Sequence, residues 1–310
     1  MTDVDALGRE LSGLVTEGVD PQFAALDLMS TPELVAAMIS HTRDVTAALD
    51  VAADAIGRAV DLAAERMARG GRLLYVGAGT PGRLGILDAS EIPPTFGEPA
   101  DRVVGIIAGG PAAVTTAVEN AEDDAPAGAA DLEAAAVGPD DCVIGVSASG
   151  RTPYVVGALG RARERGAATV GVSCNAGSPV GAASDIAIDV VVGPELIAGS
   201  TRLKAGTAQK IVLNTVSTLV MVRLGKTYGN RMVDVRATNA KLRARALRTV
   251  MTVADVPAGD ARRALDATAW AAKPAILICM TGTTAEAAQA ALAAAGGSLR
   301  TALREMTEVS

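Results

Sequence analysis

The chain has 310 residues, 49% of them hydrophobic but only 2% aromatic, and a formal net charge of −7. That length suffices for about two domains with a large core built from Ala, Val, Leu and Ile. The acidic balance argues against non-specific nucleic-acid binding and against attraction to anionic membranes, so an anionic ligand has to be held by local N–H groups and a few cations.

Residues 1–30 read as a loose N-terminal arm without the basic-then-apolar pattern of a signal peptide. No apolar run is long enough to span a bilayer, and a soluble, cytoplasmic protein is expected. Ser30-Thr31-Pro32-Glu33 is a helix start, with Ser30 as N-cap, Glu33 three residues on and proline in the first turn. An Ala-rich helical region follows to about Arg69, with a break expected near Asp44, until Gly70-Gly71 stops it. A βα rhythm then begins, with strands expected at 72–76, 102–108, 141–147, 168–174 and 186–192. Short apolar strands alternating with helices predict a doubly wound parallel five-stranded α/β sheet, with ligands at the carboxyl ends of the strands. Residues 204–225 form another helix, ended by Gly225. The chain then turns basic and helical through Arg236, Lys241, Arg243, Arg245 and Arg248, and Val256-Pro257-Ala258-Gly259 is a plausible linker. Beyond it, Ala264-Leu265-Asp266-Ala267-Thr268-Ala269-Trp270 echoes Ala291-Leu292-Ala293-Ala294-Ala295-Gly296-Gly297, two similar helical units. The expected organisation is an arm with long helices (1–70), a sheet domain (71–225), a connecting helix (226–255) and a small helical repeat region (256–310).

Three loops that follow strands or open helices are rich in Gly, Ser and Thr. The first, Gly77 to Gly82, joins a strand to a helix N-terminus, where free N–H groups and the helix dipole favour an anion. The second is Ser147-Ala148-Ser149-Gly150-Arg151-Thr152, and the third Gly199-Ser200-Thr201-Arg202-Leu203-Lys204-Ala205-Gly206-Thr207. Hydroxyls, N–H groups and the cations Arg151, Arg202 and Lys204 suit phosphate oxygens, and three such loops on one sheet edge favour a sugar-phosphate site. The candidate binding residues are Gly79, Thr80, Gly82, Ser147, Ser149, Gly150, Thr152, Ser200, Thr201 and Lys204. Gly77, Gly79 and Gly82 meet the G-x-G-x-x-G count of dinucleotide sites. The next strand, however, ends in Ala108-Gly109-Gly110 without the acid a ribose needs, which argues against NAD.

Two carboxylates follow the loops, Glu91 after the first and Glu122 after the second strand. Two acids near one sugar can divide acid and base roles. From spacing alone, both also fit as solvated helix residues. Cys142, Cys174 and Cys279 lack metal-ligand spacing and read as small buried hydrophobes. The single histidine, His41, reads as an ordinary helix residue.

These residues resemble the N-acetylmuramic acid 6-phosphate etherases of the sugar isomerase (SIS) superfamily. The resemblance runs through Tyr75 to Gly97, Ala148 to Tyr154, Ser173-Cys174-Asn175, Gly199 to Lys210, and Tyr228 to Val235 with Ala237-Thr238-Asn239. It implies a SIS-type sheet with a C-terminal all-helical, ubiquitin-associated-like region. It also implies a phosphorylated amino sugar as substrate, no cofactor or metal, and a homodimer with sites near its interface. The implied reaction opens the sugar ring, removes the proton at carbon 2, expels lactate from carbon 3 and adds water. The family's acid glutamate falls on Glu91 and its second catalytic glutamate, the base, on Glu122. Pro81 departs from the family's usual serine, removing a hydroxyl and an N–H. Ser147, where the family has alanine, is a possible compensation. Trp270 stands where a glycine is common. The alternative reading is a non-catalytic sugar-phosphate-binding regulator with a SIS domain. A SIS-type isomerase or amino-sugar deaminase is a third.

Overall fold

Five short apolar runs become strands: β1 (Leu73–Gly77), β2 (Val103–Ile107), β3 (Cys142–Val146), β4 (Ala168–Ser173) and β5 (Ile186–Asp189). The structure, a computed structural model, describes Gly8, residues 11–234, Ala237 and residues 239–308. Val235, Arg236 and Thr238, named above, lie outside the described residues.

All five strands pair in parallel, in the order β2-β1-β3-β4-β5. β1, β3 and β4 are buried at every residue, as a sheet covered on both faces requires. The chain winds out from β1 to β2, then returns past β1 to build β3, β4 and β5. In this order the direction reverses between β1 and β3, and the crevice at their carboxyl ends is where doubly wound sheets bind ligands. Gly77 is level with Ile107 on one side and Val146 on the other, so the loops after β1, β2 and β3 leave the sheet side by side.

The capping box at Ser30 forms, its N–H and hydroxyl both donating to Glu33 Oε2 at 2.8 and 2.6 Å. It opens α1 (Thr31–His41); the break comes at Thr42-Arg43, and α2 runs over Asp44–Ala68. Val45, Ala48, Ala52, Ile56, Ala59, Ala63 and Met67 recur at helical spacing and are all buried. The remaining helices of the wound region are α3 (Gly79–Phe96), α4 (Ala125–Ala134), α5 (Pro153–Glu164), the single turn α6 (Pro179–Ala182) and α7 (Lys204–Arg223).

The chain divides into two units, and the division falls inside α3 and α7. The first comprises the chain up to Ser90 with Asp101–Ser217, the second Glu91–Ala100 with the chain from Thr218 onward. The helices that follow β1 and β5 are therefore longer than the sheet needs, which a linear reading of boundaries misses.

In the second unit, a short hairpin of β6 (Thr227–Tyr228) and β7 (Arg231–Met232) precedes α8 (Ala240–Ala254). Four ten-residue helices follow: α9 (Ala258–Ala267), α10 (Ala272–Thr281), α11 (Ala285–Ala294) and α12 (Leu299–Glu308). The pair α9–α10 repeats as α11–α12 at a constant offset. In both halves the helix ends in two left-handed residues, Ala269-Trp270 and Gly296-Gly297. The second N–H of each pair donates back to Leu265 and Leu292 respectively, both at 2.7 Å. Trp270, at φ +65°, thus occupies a position that glycine fills without strain. Arg243 and Arg262 lie over its ring, 5.4 and 5.7 Å from the centroid. Buried Lys273 of α10 ties the halves together by donating to Gly297 O at 2.7 Å, and it also donates to Asp234 Oδ2, ahead of α8, at 2.6 Å.

Candidate functional site

The first loop is a seat for backbone rather than side chains. A Cβ on Gly77 would stand 2.7 Å from Gly82 N, and one on Gly82 would stand 2.6 Å from Ile107 Cγ1. Only glycine lets the first turn of α3 settle this closely against the ends of β1 and β2. The turn opens at exposed Gly79, with φ +57°. No acceptor among the described residues takes the N–H of Gly79 or of half-buried Thr80, so both remain available to an anion. Pro81 fits the first turn without strain but supplies no third N–H.

The second loop is held from behind. Ser147 is buried at 2% exposure; its Oγ accepts from Gly150 N at 3.0 Å and lies 2.7 Å from Thr152 Oγ1. Ser149 and Thr152 are half-buried, and Ser149 Oγ accepts from Arg151 N at 3.3 Å. Gly150 has φ +72°, and a Cβ there would meet Ser178 Cβ at 2.3 Å. Buried Asn175, beyond β4, donates to the carbonyls of Ala148 and Ser149, both at 3.2 Å. The same side chain accepts from Val15 N and donates to Thr16 Oγ1, binding the N-terminal arm to the loop. Ser147 therefore shapes the loop, and Ser149 and Thr152 are the hydroxyls on its accessible side. The compensation for Pro81 expected of Ser147 has no geometric support.

The third loop differs from the first. Thr80 adjoins it, since a Cβ on Gly206 would stand 3.4 Å from Thr80 Cγ2. Ser200 and Thr201 are half-buried just ahead of α7. The first N–H groups of α7 are already taken. Glu195, 1% exposed, accepts from Lys204 N at 3.0 Å and Ala205 N at 2.9 Å, while Thr201 O and Leu203 O take the next two. Lys204 is 2% exposed, and its Nζ is 2.9 Å from Asp44 Oδ2. Its charge serves the start of α2, so the geometry does not place it among the phosphate-facing groups.

Glu122 lies in the turn Ala121–Asp123, exposed, following Asn120 in the left-handed conformation at φ +61°. The segment leading there doubles back at Gly109, φ +83°, where a Cβ would strike Val118 at 2.8 Å. The fold-back encloses a cavity of about 180 Å³ lined by Gly79, Arg83, Glu119, Asn120 and Glu122 among others. The site thus brings the first loop and Glu122 together. Glu91 is exposed on α3, in the part of that helix that belongs to the second unit.

Asp88 was missed by motif reasoning. It is 5% exposed and accepts from Tyr75 Oη at 2.8 Å, Ser217 Oγ at 3.2 Å and the Asn214 amide, locking β1, α3 and α7 together. Burial, then the Asp88 charge, pushes the Tyr75 hydroxyl far above its ordinary pKa. The one signal for Asp88 was a carboxylate inside an otherwise apolar helical stripe. Cys142 and Cys174 are buried, and burial pushes both thiols up to about 12. His41 is buried edge-on against Phe23, with burial and then the Lys204 charge lowering its pKa.

Two family models match the chain: the glucokinase regulatory protein N-terminal SIS domain over residues 55–163 and the SIS domain over residues 119–219. The N-acetylmuramic acid 6-phosphate etherase of Rubrobacter xylanophilus is 55% identical over 299 residues, 96% of this chain and 99% of that protein. The chain belongs to the N-acetylmuramic acid 6-phosphate etherase family. Etherases from Streptomyces avermitilis and Cronobacter sakazakii are each 52% identical, over 96% and 95% of this chain. The etherase likeness spans the helical repeat unit as well as the wound sheet.

Proposed function

We infer that the protein is an N-acetylmuramic acid 6-phosphate etherase, a carbon–oxygen lyase of amino-sugar catabolism and cell-wall recycling. The observation that carries this reading is identity above 50% with etherases along nearly the whole chain. The site geometry agrees with it. N–H groups of α3 and the hydroxyls of Thr80, Ser149 and Thr152 flank the switch point of the sheet and suit a sugar 6-phosphate. Glu122 stands in the adjoining cavity, where the sugar ring would extend.

In the reaction, the open-chain aldehyde acidifies the proton at carbon 2. Glu122 takes that proton, and the electron pair forms the carbon 2–carbon 3 double bond as the ether bond at carbon 3 breaks. Glu91 protonates the departing lactate oxygen. Water then adds to carbon 3, a proton returns to carbon 2, and N-acetylglucosamine 6-phosphate and D-lactate result. The homodimer belongs to this proposal, as does a cytoplasmic location; no single helix among the described residues is long and apolar enough to cross a membrane.

Incubating the protein with N-acetylmuramic acid 6-phosphate and assaying D-lactate tests the reading; folded wild-type protein that releases none overturns it. Glu122→Gln is expected to abolish solvent-deuterium exchange at carbon 2, while Glu91→Gln retains exchange and stops lactate release. Equal exchange in the two variants would reverse or void the assigned roles.

A further inference from the structure

The cavity beside Glu122 contains one cation that no carboxylate among the described residues neutralises. Arg83 is the sole basic residue among the cavity's described lining, which also carries Glu119 and Glu122. It stands one turn into α3, half-buried. Its Nε donates to Val114 O at 2.9 Å, which fastens the guanidinium to the turn after β2. Among the described residues this is its one hydrogen bond, and no acidic side chain comes within ion-pair distance. A guanidinium held by its inner nitrogen keeps the planar fork of terminal N–H groups for an outside anion, with the geometry that matches a carboxylate bidentately. In a chain of net charge −7 and next to two acids, such a group attracts an anionic ligand only at short range.

The substrate of the reaction above offers two anions, the phosphate on carbon 6 and the lactyl carboxylate on carbon 3. Strand order separates their places. The hydroxyl loop follows β3, on one side of β1, while Arg83, Val114 and Glu122 lie toward β2, on the other. Adjacent strands stand about 4.8 Å apart, so the two flanks are well separated on the scale of a hexose. Glu122 acts at carbon 2, and the lactyl group hangs from the next carbon. We propose that Arg83 binds the lactyl carboxylate and makes the enzyme selective for an acidic ether. The proposal rests on the etherase reading and adds to it a specificity-determining residue. It also gives α3 two jobs: its first N–H groups face the phosphate, and its next turn faces the leaving group.

The test uses the full-length protein, Arg83→Gln and Arg83→Lys. Three ligands are compared: N-acetylmuramic acid 6-phosphate, its lactyl carboxamide analogue, and N-acetylglucosamine 6-phosphate as a competitive inhibitor lacking the lactyl group. Losing a charge-assisted pair of hydrogen bonds lowers kcat/KM for the acid by about ten- to hundredfold in Arg83→Gln, mostly through KM. The inhibition constant of N-acetylglucosamine 6-phosphate shifts less than about twofold. The wild type prefers acid to carboxamide, and Arg83→Gln loses that preference, while Arg83→Lys keeps part of it. Equal weakening of all three ligands would assign Arg83 to the phosphate and overturn the proposal, as would unchanged kinetics. Should Arg83→Gln fail to fold, the wild-type preference decides: equal turnover of acid and carboxamide sinks the idea. Wild-type protein that releases no lactate is a different outcome, because it overturns the etherase reading itself and this inference with it.

Discussion

Helices α3 and α7 begin alike in sequence and differently in structure. Each follows a loop rich in Gly, Ser and Thr, and each N-terminus presents the partial positive charge that favours an anion. At α3, the N–H groups of Gly79 and Thr80 have no acceptor among the described residues. At α7, Glu195 reaches in from nine residues upstream and takes two N–H groups, and backbone carbonyls take the next two. One N-terminus keeps open donors, and the other is a joint closed by the protein's own anion. Loop composition reports that donors exist; whether a carboxylate from elsewhere already occupies them is a matter of tertiary structure.

The largest effect that separates the two is expected at Glu195. Replacing it by alanine leaves buried helix N–H groups without a charged acceptor, and stability should fall by about 3 kcal/mol. Urea unfolding measures this. A loss under about 1 kcal/mol would mean that the α7 N–H groups find other acceptors, and the contrast with α3 would weaken. Ser147 comes next. Ser147→Ala removes the acceptor for Gly150 N and the partner of Thr152, costing about 1–2 kcal/mol. If instead its folding stability is unchanged while sugar-phosphate affinity falls, Ser147 faces the ligand after all.

At the open N-terminus the sensitive position is Pro81. Pro81→Ser restores an N–H and a hydroxyl to the first turn of α3, and one added hydrogen bond is worth about 1 kcal/mol. Affinity for N-acetylglucosamine 6-phosphate should therefore rise about fivefold in calorimetric titration. An unchanged affinity would show that the phosphate sits away from the third helical position.

Much of the fold was legible because local rules decide it. Four of the five strands fall within a residue of the expected runs, since each is an apolar stretch bounded by Gly, Pro or Asp, whereas β5 ends at Asp189, three residues short of the expected run to 192. The capping box at Ser30 formed as its residues dictate. The repeat in the helical unit announced itself through residues 264–270 and 291–297, and both segments prove to be left-handed helix ends. Less legible were the partners that come from far along the chain. Glu195 closing α7, Asp44 claiming the Lys204 charge, and Asn175 bracing the second loop are all long-range contacts set by packing. The division of the chain inside α3 and α7 belongs to the same class, because a helix pattern does not say where one packed body ends.

The smallest expected effect, and a discriminating one, concerns Lys204. As a basic residue in a Ser-Thr-Gly loop it invites assignment to the phosphate, yet its ammonium is buried against Asp44. Lys204→Met keeps the apolar stem and removes the ammonium, and the remaining Asp44 carboxylate, 60% exposed, is left to water rather than buried unpaired. Affinity for N-acetylglucosamine 6-phosphate should change less than about threefold, whereas loss of a direct ammonium–phosphate contact would cost about tenfold or more. The chain supplies its own reporter of where that charge sits, because His41 is its single histidine. Its imidazole is held below its ordinary pKa, first by burial and then by the Lys204 ammonium. Removing the ammonium relieves the second cause, so NMR titration of Lys204→Met should place the His41 pKa higher than in the wild type. An unmoved His41 together with a tenfold loss of affinity would return the Lys204 charge to the ligand and make the start of α7 a binding site like that of α3.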